Sequence, residues 1–222
     1  MEEVRLIDVK EEILADNARA AEDIRERLRS SKTMLINLMS SPGSGKTSLI
    51  LKTAEVLQGA FRMGVMEADI DSKVDAEKVA AQGIAAVQLR TGGFCHLDAT
   101  MVNQGLAAMP VEGLDLLIIE NVGNLVCPAE FDTGAHKNVM ILSVPEGDDK
   151  PLKYPLMFSV CDVLLVSKID YKPISDFNVD AMRERVLVLN PNIRIFEVSS
   201  KTGEGISAWV NWLKDQVRAF QG

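Results

Sequence analysis

From residue 34 onward, short unbroken apolar runs alternate with longer stretches in which apolar positions return every three or four residues. Unbroken runs are the mark of strands buried on both faces, and the three-to-four spacing is that of helices packed on them. The pattern predicts strands over 34–39, 61–67, 85–89, 114–120, 139–144, 163–166 and 193–198. Helices are predicted near 46–57, 74–82, 97–108, 179–189 and 205–220. Such alternation argues for βα units, hence an α/β fold with a mainly parallel sheet flanked by helices. Residues 1–33 read differently, as a charged helix with Ile13, Leu14, Ala18, Ala21, Ile24 and Leu28 near one face. They are an expected N-terminal helical extension, packed on a domain covering 34–222. No repeat or low-complexity linker interrupts the chain.

In open parallel sheets ligands bind beyond the carboxyl ends of the strands, so the loops that follow strands are where chemistry is sought. The loop after the first strand is Ser40-Ser41-Pro42-Gly43-Ser44-Gly45-Lys46-Thr47, a phosphate-binding P-loop pattern with Ser40 in place of the opening glycine. Gly43 and Gly45 let backbone N–H groups turn toward phosphate oxygens at a helix amino end, with Ser44 and Ser48 in the same cradle. Lys46 is placed to neutralise β/γ-phosphate charge and Thr47 to ligate Mg²⁺. A chance glycine-rich turn would lack the flanking strand and helix.

Magnesium needs carboxylates at neighbouring strand ends. Glu120 follows four apolar residues, Leu116-Leu117-Ile118-Ile119, and fits the metal-side position. Asp69 and Asp71 follow the second strand; one of the pair is expected to hold a metal-bound water or orient the attacking water. The other would cap the next helix.

Ser167-Lys168-Ile169-Asp170 follows the sixth strand, where a P-loop fold grips the base. A carboxylate there accepts hydrogen bonds from guanine N1–H and the 2-amino group, a donor pair that adenine lacks. GTP is therefore the favoured nucleotide. Ser199-Ser200-Lys201, after the last strand, resembles the second base-contacting loop of GTPases.

Composition adds bounds rather than detail. The 222 residues suit one compact domain, and 47% hydrophobic with 25% charged residues is ordinary for a globular protein. The longest apolar runs are strand-sized, far below the roughly 20 residues of a membrane span, so no membrane anchor is expected. A formal charge of −8 opposes general nucleic-acid binding. The start, Met1-Glu2-Glu3-Val4-Arg5, lacks the features of a secretory signal, which predicts a cytoplasmic, reducing location. There, the three cysteines are not expected to form disulfides. Cys95-His96 lies after the third strand and Cys127 in the long loop after Glu120, on the same expected rim. Thiolate and imidazole suit Ni²⁺ or Zn²⁺, and three such groups form a set that water or another protomer completes. Cys161, beside the sixth strand, is expected in the core, and His136 in a surface loop.

Taken together, these pieces resemble the hydrogenase nickel-incorporation GTPases, the HypB family, over nearly the whole chain. The resemblance is carried by 41–47, Glu67-Ala68-Asp69, 91–96, 120–128, 146–155 and 167–170. It implies a SIMIBI-type G domain and a GTP-dependent metallochaperone delivering Ni²⁺ to the large subunit of a [NiFe]-hydrogenase. It further implies a nickel-delivering accessory protein as partner and dimerisation as nucleotide and metal bind. On this resemblance Cys95, His96 and Cys127 are the metal ligands, contributed by two protomers at the dimer interface. Some members carry a cysteine-rich or histidine-rich nickel motif near the amino terminus; no cysteine precedes Cys95 here and no histidine precedes His96. The segment 150–155 is expected at the dimer contact or reaching the partner's nucleotide, through Lys150 or Lys153. Coupled loops after the strands would link GTP hydrolysis to metal release. The alternatives are a urease-accessory nickel GTPase, an ATP-driven metabolic enzyme and a zinc-sequestering dimer with a structural nucleotide.

Overall fold

The computed structural model describes residues 9–69 and 74–222. Seven parallel strands form one sheet in the order β3-β2-β4-β1-β5-β6-β7. The strands are β1 (Met34–Ser40), β2 (Met63–Asp69), β3 (Ala85–Arg90), β4 (Leu116–Glu120), β5 (Lys137–Ser143), β6 (Val163–Ser167) and β7 (Arg194–Glu197). Between and before them lie α1 (Val9–Ser30), α2 (Lys46–Leu57), α3 (Val74–Ala80), α4 (Ala99–Ala108), α5 (Lys150–Lys153), α6 (Pro155–Val160), α7 (Val179–Leu189) and α8 (Ile206–Gln221). Every residue of the central strand β1 is buried, as the unbroken apolar run requires, while the edge strands β3 and β7 are only partly covered.

Alternation along β1 distributes side chains to two layers. Met34, Ile36 and Leu38 join Leu49 and Ile50 of α2 and Trp209, Leu213 and Val217 of α8 on one face. Leu35 faces the opposite layer, against Ala21, Ile24 and Leu28 of α1 and Val102 and Leu106 of α4. Met39 joins a third cluster under α6 and α7. The indole N–H of buried Trp209 donates to the Thr53 hydroxyl at 3.0 Å, which satisfies its polar tip inside the core.

Several boundaries differ from expectation for physical reasons. β4 begins at Leu116 rather than Leu114, because Asp115 turns to accept a hydrogen bond from the Arg62 backbone N–H at 2.7 Å. β2 runs on to Asp69. Helix α4 begins after Asp98, whose carboxylate accepts from Met101 N–H at 2.8 Å. Helices α5 and α6 were outside the expected set; with only four and six residues and a proline in the first turn of each, they are too short to display a helical period. On α1 the expected apolar face is buried only in its later part. Ile13 is 51% exposed, and the helix is instead pinned by buried Asn17, which donates to Asp132 C=O and accepts from Ala99 N–H. Residues 1–8, where the extension was expected to begin, lie outside the described residues.

Cys161 is in the core as expected, and burial pushes its thiol pKa well up. His136 departs from the surface-loop reading. Its Nδ1 accepts from Leu35 N–H at 3.0 Å and its ring lies 4.3 Å from that of Phe220. Burial, aided by Arg29 and Arg25, pulls its pKa down to about 4. Among the described residues no helix is long and apolar enough to cross a membrane.

Candidate functional site

Because all seven strands are parallel, the loops after β1, β2, β3, β4, β6 and β7 emerge on one rim. In the loop between β1 and α2, Gly43 and Gly45 take left-handed φ values of 76° and 101°, a region costly for side chains bearing a Cβ. Ser40, the departure from the usual pattern, has a visible role. Its buried hydroxyl accepts from Ser44 Oγ at 2.5 Å and from Lys46 Nζ at 3.1 Å, holding the ammonium across the mouth of the loop. Burial lowers the Lys46 pKa, opposed by the field of Glu120, Glu67 and Asp75. The loop is braced from the opposite side of the cleft: Ser167 Oγ donates to Ser44 C=O at 2.8 Å and Lys168 Nζ to Gly43 C=O at 2.7 Å.

Beside it, Thr47 Oγ1 donates to Glu120 Oε1 at 2.8 Å. Carboxylate oxygens of Glu67, Asp75 and Glu120 lie within 4.8 Å of one another. Glu67 Oε2 and Glu120 Oε2 are buried without a hydrogen-bond partner. Burial, then the Glu120 charge, raises the Glu67 pKa to about 7, and burial likewise raises that of Glu120. Hard oxygen donors, two of them orphaned inside the protein and next to a threonine hydroxyl, fit a divalent cation such as Mg²⁺. Asp69 ends β2 outside this trio, with its carbonyl accepting from Thr91 N–H at 3.1 Å. Asp71 lies outside the described residues. Glu67 and Asp75 were not singled out as metal-side candidates. The signal for Glu67 was present, since like Glu120 it closes a run of mainly apolar residues, and β2 pairs with β4 so that the two glutamates are register partners.

An open cleft of about 1100 Å³ is lined at one end by Ser44, Gly45, Ser48, Lys168, Asp170 and Lys201, and runs on along α2 to Gln58, Phe61 and Leu114 at the amino ends of the strands. Asp170 Oδ1 accepts from Ser199 Oγ at 2.7 Å, and Lys201 Nζ stands 3.9 Å from Oδ2. Ser199 is itself fixed by hydrogen bonds with Thr202, Gly203 and Glu204, so the carboxylate is aimed by the loop after β7. Ser200 lines the same cleft.

On the same rim Cys95, His96 and Cys127 converge within one chain, their ligand atoms within 4.8 Å of one another. The two sulfurs, both free thiols, are 2.8 Å apart, and His96 Nδ1 is 3.8 Å from Cys95 Sγ. Gly92 and Gly93, with φ of 61° and 105°, bend the chain into Cys95, and Thr91 Oγ1 closes the turn on Phe94 C=O at 2.7 Å. The His96 ring stacks on Phe131 at 4.0 Å, and burial lowers its pKa, favouring the neutral imidazole that ligates metals. Asn124 Nδ2 approaches Cys127 Sγ at 3.6 Å. The soft thiol and imidazole donors and, on the same rim, the hard carboxylate oxygens are two donor sets of different chemistry, each able to hold an ion.

A parallel sheet with a P-loop, a carboxylate lining the cleft beyond it and a thiol–imidazole cluster able to hold a soft metal ion defines a P-loop nucleotide-binding protein. The family described as CobW/HypB/UreG, nucleotide-binding domain, matches residues 34–197. A hydrogenase maturation factor HypB of Azotobacter chroococcum mcd 1 is 47% identical over 214 residues, covering 96% of this chain and 70% of that protein. The crystal structure of HypB from Helicobacter pylori in complex with nickel has TM-score 0.88 and 38% identity, covering 92% of this chain and 96% of that one. HypB from Archaeoglobus fulgidus has TM-score 0.86 and 41% identity, covering 92% and 100%. The chain belongs to the HypB group of the CobW/HypB/UreG nucleotide-binding family.

Proposed function

We propose that the chain is a GTP-hydrolysing nickel metallochaperone for [NiFe]-hydrogenase maturation, in which nucleotide state governs the affinity of the thiol–imidazole site. The observation that carries this reading is one loop. It begins at Glu120, hydrogen-bonded to Thr47 of the P-loop helix, and reaches Cys127, whose sulfur is 2.8 Å from that of Cys95. Any rearrangement that GTP imposes at Glu120 is therefore felt at the cysteines. The nickel-bound relative and the hydrogenase-maturation relatives support nickel as cargo.

The backbone N–H groups from Gly43 to Thr47 receive the phosphates, and Lys46 leaves Ser40 to neutralise β/γ charge. Asp170 reads guanine. Thr47 and Glu120, with Glu67 and Asp75 beside them, hold Mg²⁺, which when bound supplies positive charge to the triphosphate. Asp69 or Asp71 orients the attacking water. Cys95, His96 and Cys127 receive the nickel ion, with zinc as a competitor of similar ligand preference. Exposed Phe94 and Val126, 57% and 51% accessible, flank both cysteines and form an apolar rim that a second copy would cover. The second copy also offers Lys150, over the Tyr154 ring, and Lys153, paired with Asp149 at 2.5 Å, as cations able to reach a neighbour's nucleotide. Nucleotide-dependent dimerisation would then complete the metal coordination.

Nickel titration of the chain and of Cys95→Ala, with GTP analogue, GDP or no nucleotide, tests this while sedimentation follows dimer formation. The expected result is tight nickel binding, dependent on Cys95, whose affinity changes with the nucleotide. Equal affinity in all three states removes the coupled-delivery reading.

A further inference from the structure

The loop after β4 holds a fully buried amide whose hydrogen bonds run between the two sites. Asn121, 0% exposed, directly follows Glu120. Its Nδ2 donates to Asn37 Oδ1 at 2.9 Å, and Asn37 Nδ2 donates in turn to Asn138 Oδ1 at 3.1 Å. This chain of donors fixes which end of the Asn121 amide points where. Its Oδ1 is left facing the other way, accepting from Val122 N–H at 2.8 Å and from Leu97 N–H at 3.3 Å. Leu97 is the residue after His96, and its side chain is wholly buried between α4 and the sheet. One side chain thus stands a single residue from the carboxylate that touches the P-loop helix, and one hydrogen bond from the segment that carries Cys95 and His96.

An apolar side chain would fill this position without needing partners, and a buried amide is tolerated only when its donors and acceptors are met. The chain Asn138–Asn37–Asn121–Leu97 meets them with a directed network that crosses β5, β1 and β4 to the loop after β3. The same loop presses on the P-loop at a second point: a Cβ added to Gly123 would stand 2.9 Å from Pro42 N and 3.0 Å from Pro42 Cα. Glu120 is thus clamped on the phosphate side and Asn121 on the soft-metal side, with no flexible spacer between them.

We propose that Asn121 is the positioning residue that carries nucleotide state from Glu120 to the Cys95–His96 segment, through the hydrogen bond from Leu97 N–H to its Oδ1. The inference rests on the nucleotide-coupled nickel reading and names the group through which the coupling runs. Cys127 moves with the loop backbone; Cys95 and His96 lie on a separate loop, tied to it by this backbone cross-link as well as by the side-chain contact of Cys95 with Cys127 at 2.8 Å. Without the cross-link, the backbone that carries Cys95 and His96 no longer follows Glu120.

Ni²⁺ titration of the full chain in the presence of Mg²⁺, with GTP analogue and with GDP, gives the affinity ratio between the two states. In the wild type this ratio is expected to be on the order of tenfold, within the usual span of couplings between sites. Asn121→Ala is expected to bring the ratio within about twofold of one, while affinity in the GDP state moves by less than about threefold. A wild-type ratio in Asn121→Ala overturns the proposal. A ratio of one in the wild type itself instead overturns the nucleotide-coupled reading on which it rests. Should Asn121→Ala fail to fold, hydrogen exchange of the Leu97 amide in the wild type decides: its rate is expected to differ severalfold between the GDP and GTP-analogue states. Equal rates beside a wild-type affinity ratio well above one overturn the proposal.

Discussion

Glu67 and Glu120 are register partners on the adjacent parallel strands β2 and β4, and each buries a carboxylate oxygen that has no hydrogen-bond partner. Two buried acids this close repel unless a proton or a cation lies between them. Lys46 supplies part of the opposing charge, yet Ser40 holds its ammonium.

The Glu67 carboxyl is shifted from its ordinary 4.5 up to about 7, so the folded state binds more protons than the unfolded chain between those values. Stability from this group is full below about pH 4.5 and is lost as pH rises through 7, by up to about 3 kcal/mol. Glu67→Gln mimics the protonated form at every pH. The variant is therefore expected to gain on the wild type as pH rises from 4.5 to 7.5 in Mg²⁺-free buffer, read by urea denaturation. In the GDP complex the same change is expected to weaken Mn²⁺ binding about tenfold, read by electron paramagnetic resonance. A pH-independent difference would mean that Glu67 ionises like a surface carboxylate.

His136 has the opposite linkage. Its pKa is pulled from 6.5 to about 4, so its contribution is present above pH 6.5 and disappears as pH falls through 4. His136→Phe keeps a ring against Phe220 but leaves Leu35 N–H without its acceptor, a loss of about 1 to 3 kcal/mol near neutrality. The wild-type advantage is expected to shrink by about 2 kcal/mol between pH 6.5 and 4, because only the wild type has an imidazole to protonate. Denaturation midpoints of both chains across that range check it; parallel curves contradict it.

What was legible in the sequence was whatever local pattern encodes. The strands, the P-loop, Asp170 and the Cys95–His96–Cys127 set each announce themselves by residue type within a few positions of a strand end. What was hidden depends on which strands become neighbours. Glu67 closes a mainly apolar run as Glu120 does, but its pairing with Glu120 follows only from β2 lying beside β4, and Asp75 joins them only when α3 packs against β2. His136 looks like any loop histidine until Leu35 and Phe220 close over it. The short helices α5 and α6 lack the turns needed to show a period, and Asn17 fixes α1 by capping contacts that no apolar pattern records.

Asp170 is aimed by Ser199 and approached more loosely by Lys201, whose side chain is 79% exposed and whose pairing is correspondingly weak. Two charge-assisted hydrogen bonds to guanine are worth enough to favour GTP over ATP by on the order of a hundredfold or more. Asp170→Asn is expected to abolish most of that preference, Ser199→Ala to reduce it by about tenfold, and Lys201→Ala to leave it within about twofold. Competition between GTP and ATP for a fluorescent guanine nucleotide measures all three. Unchanged selectivity in Asp170→Asn would place base recognition elsewhere.

Gly123 and Gly92 separate packing from backbone conformation. A Cβ at Gly123 would meet backbone atoms of Pro42 at 2.9 and 3.0 Å, whereas a Cβ at Gly92 would meet nothing within 4 Å and suffers only from a φ of 61°. Gly92→Ala is expected to cost about 1 kcal/mol and to leave GTP binding unaltered, since the strain stays in its own turn. Gly123→Ala forces either the P-loop or the loop bearing Cys127 to retreat, at about 1 to 3 kcal/mol. Pro42 is backbone of the phosphate cradle, so this substitution is also expected to weaken GTP-analogue binding several-fold. Denaturation and nucleotide titration of the two variants check the contrast. If Gly123→Ala binds nucleotide as the wild type does, the contact with Pro42 does not constrain the P-loop.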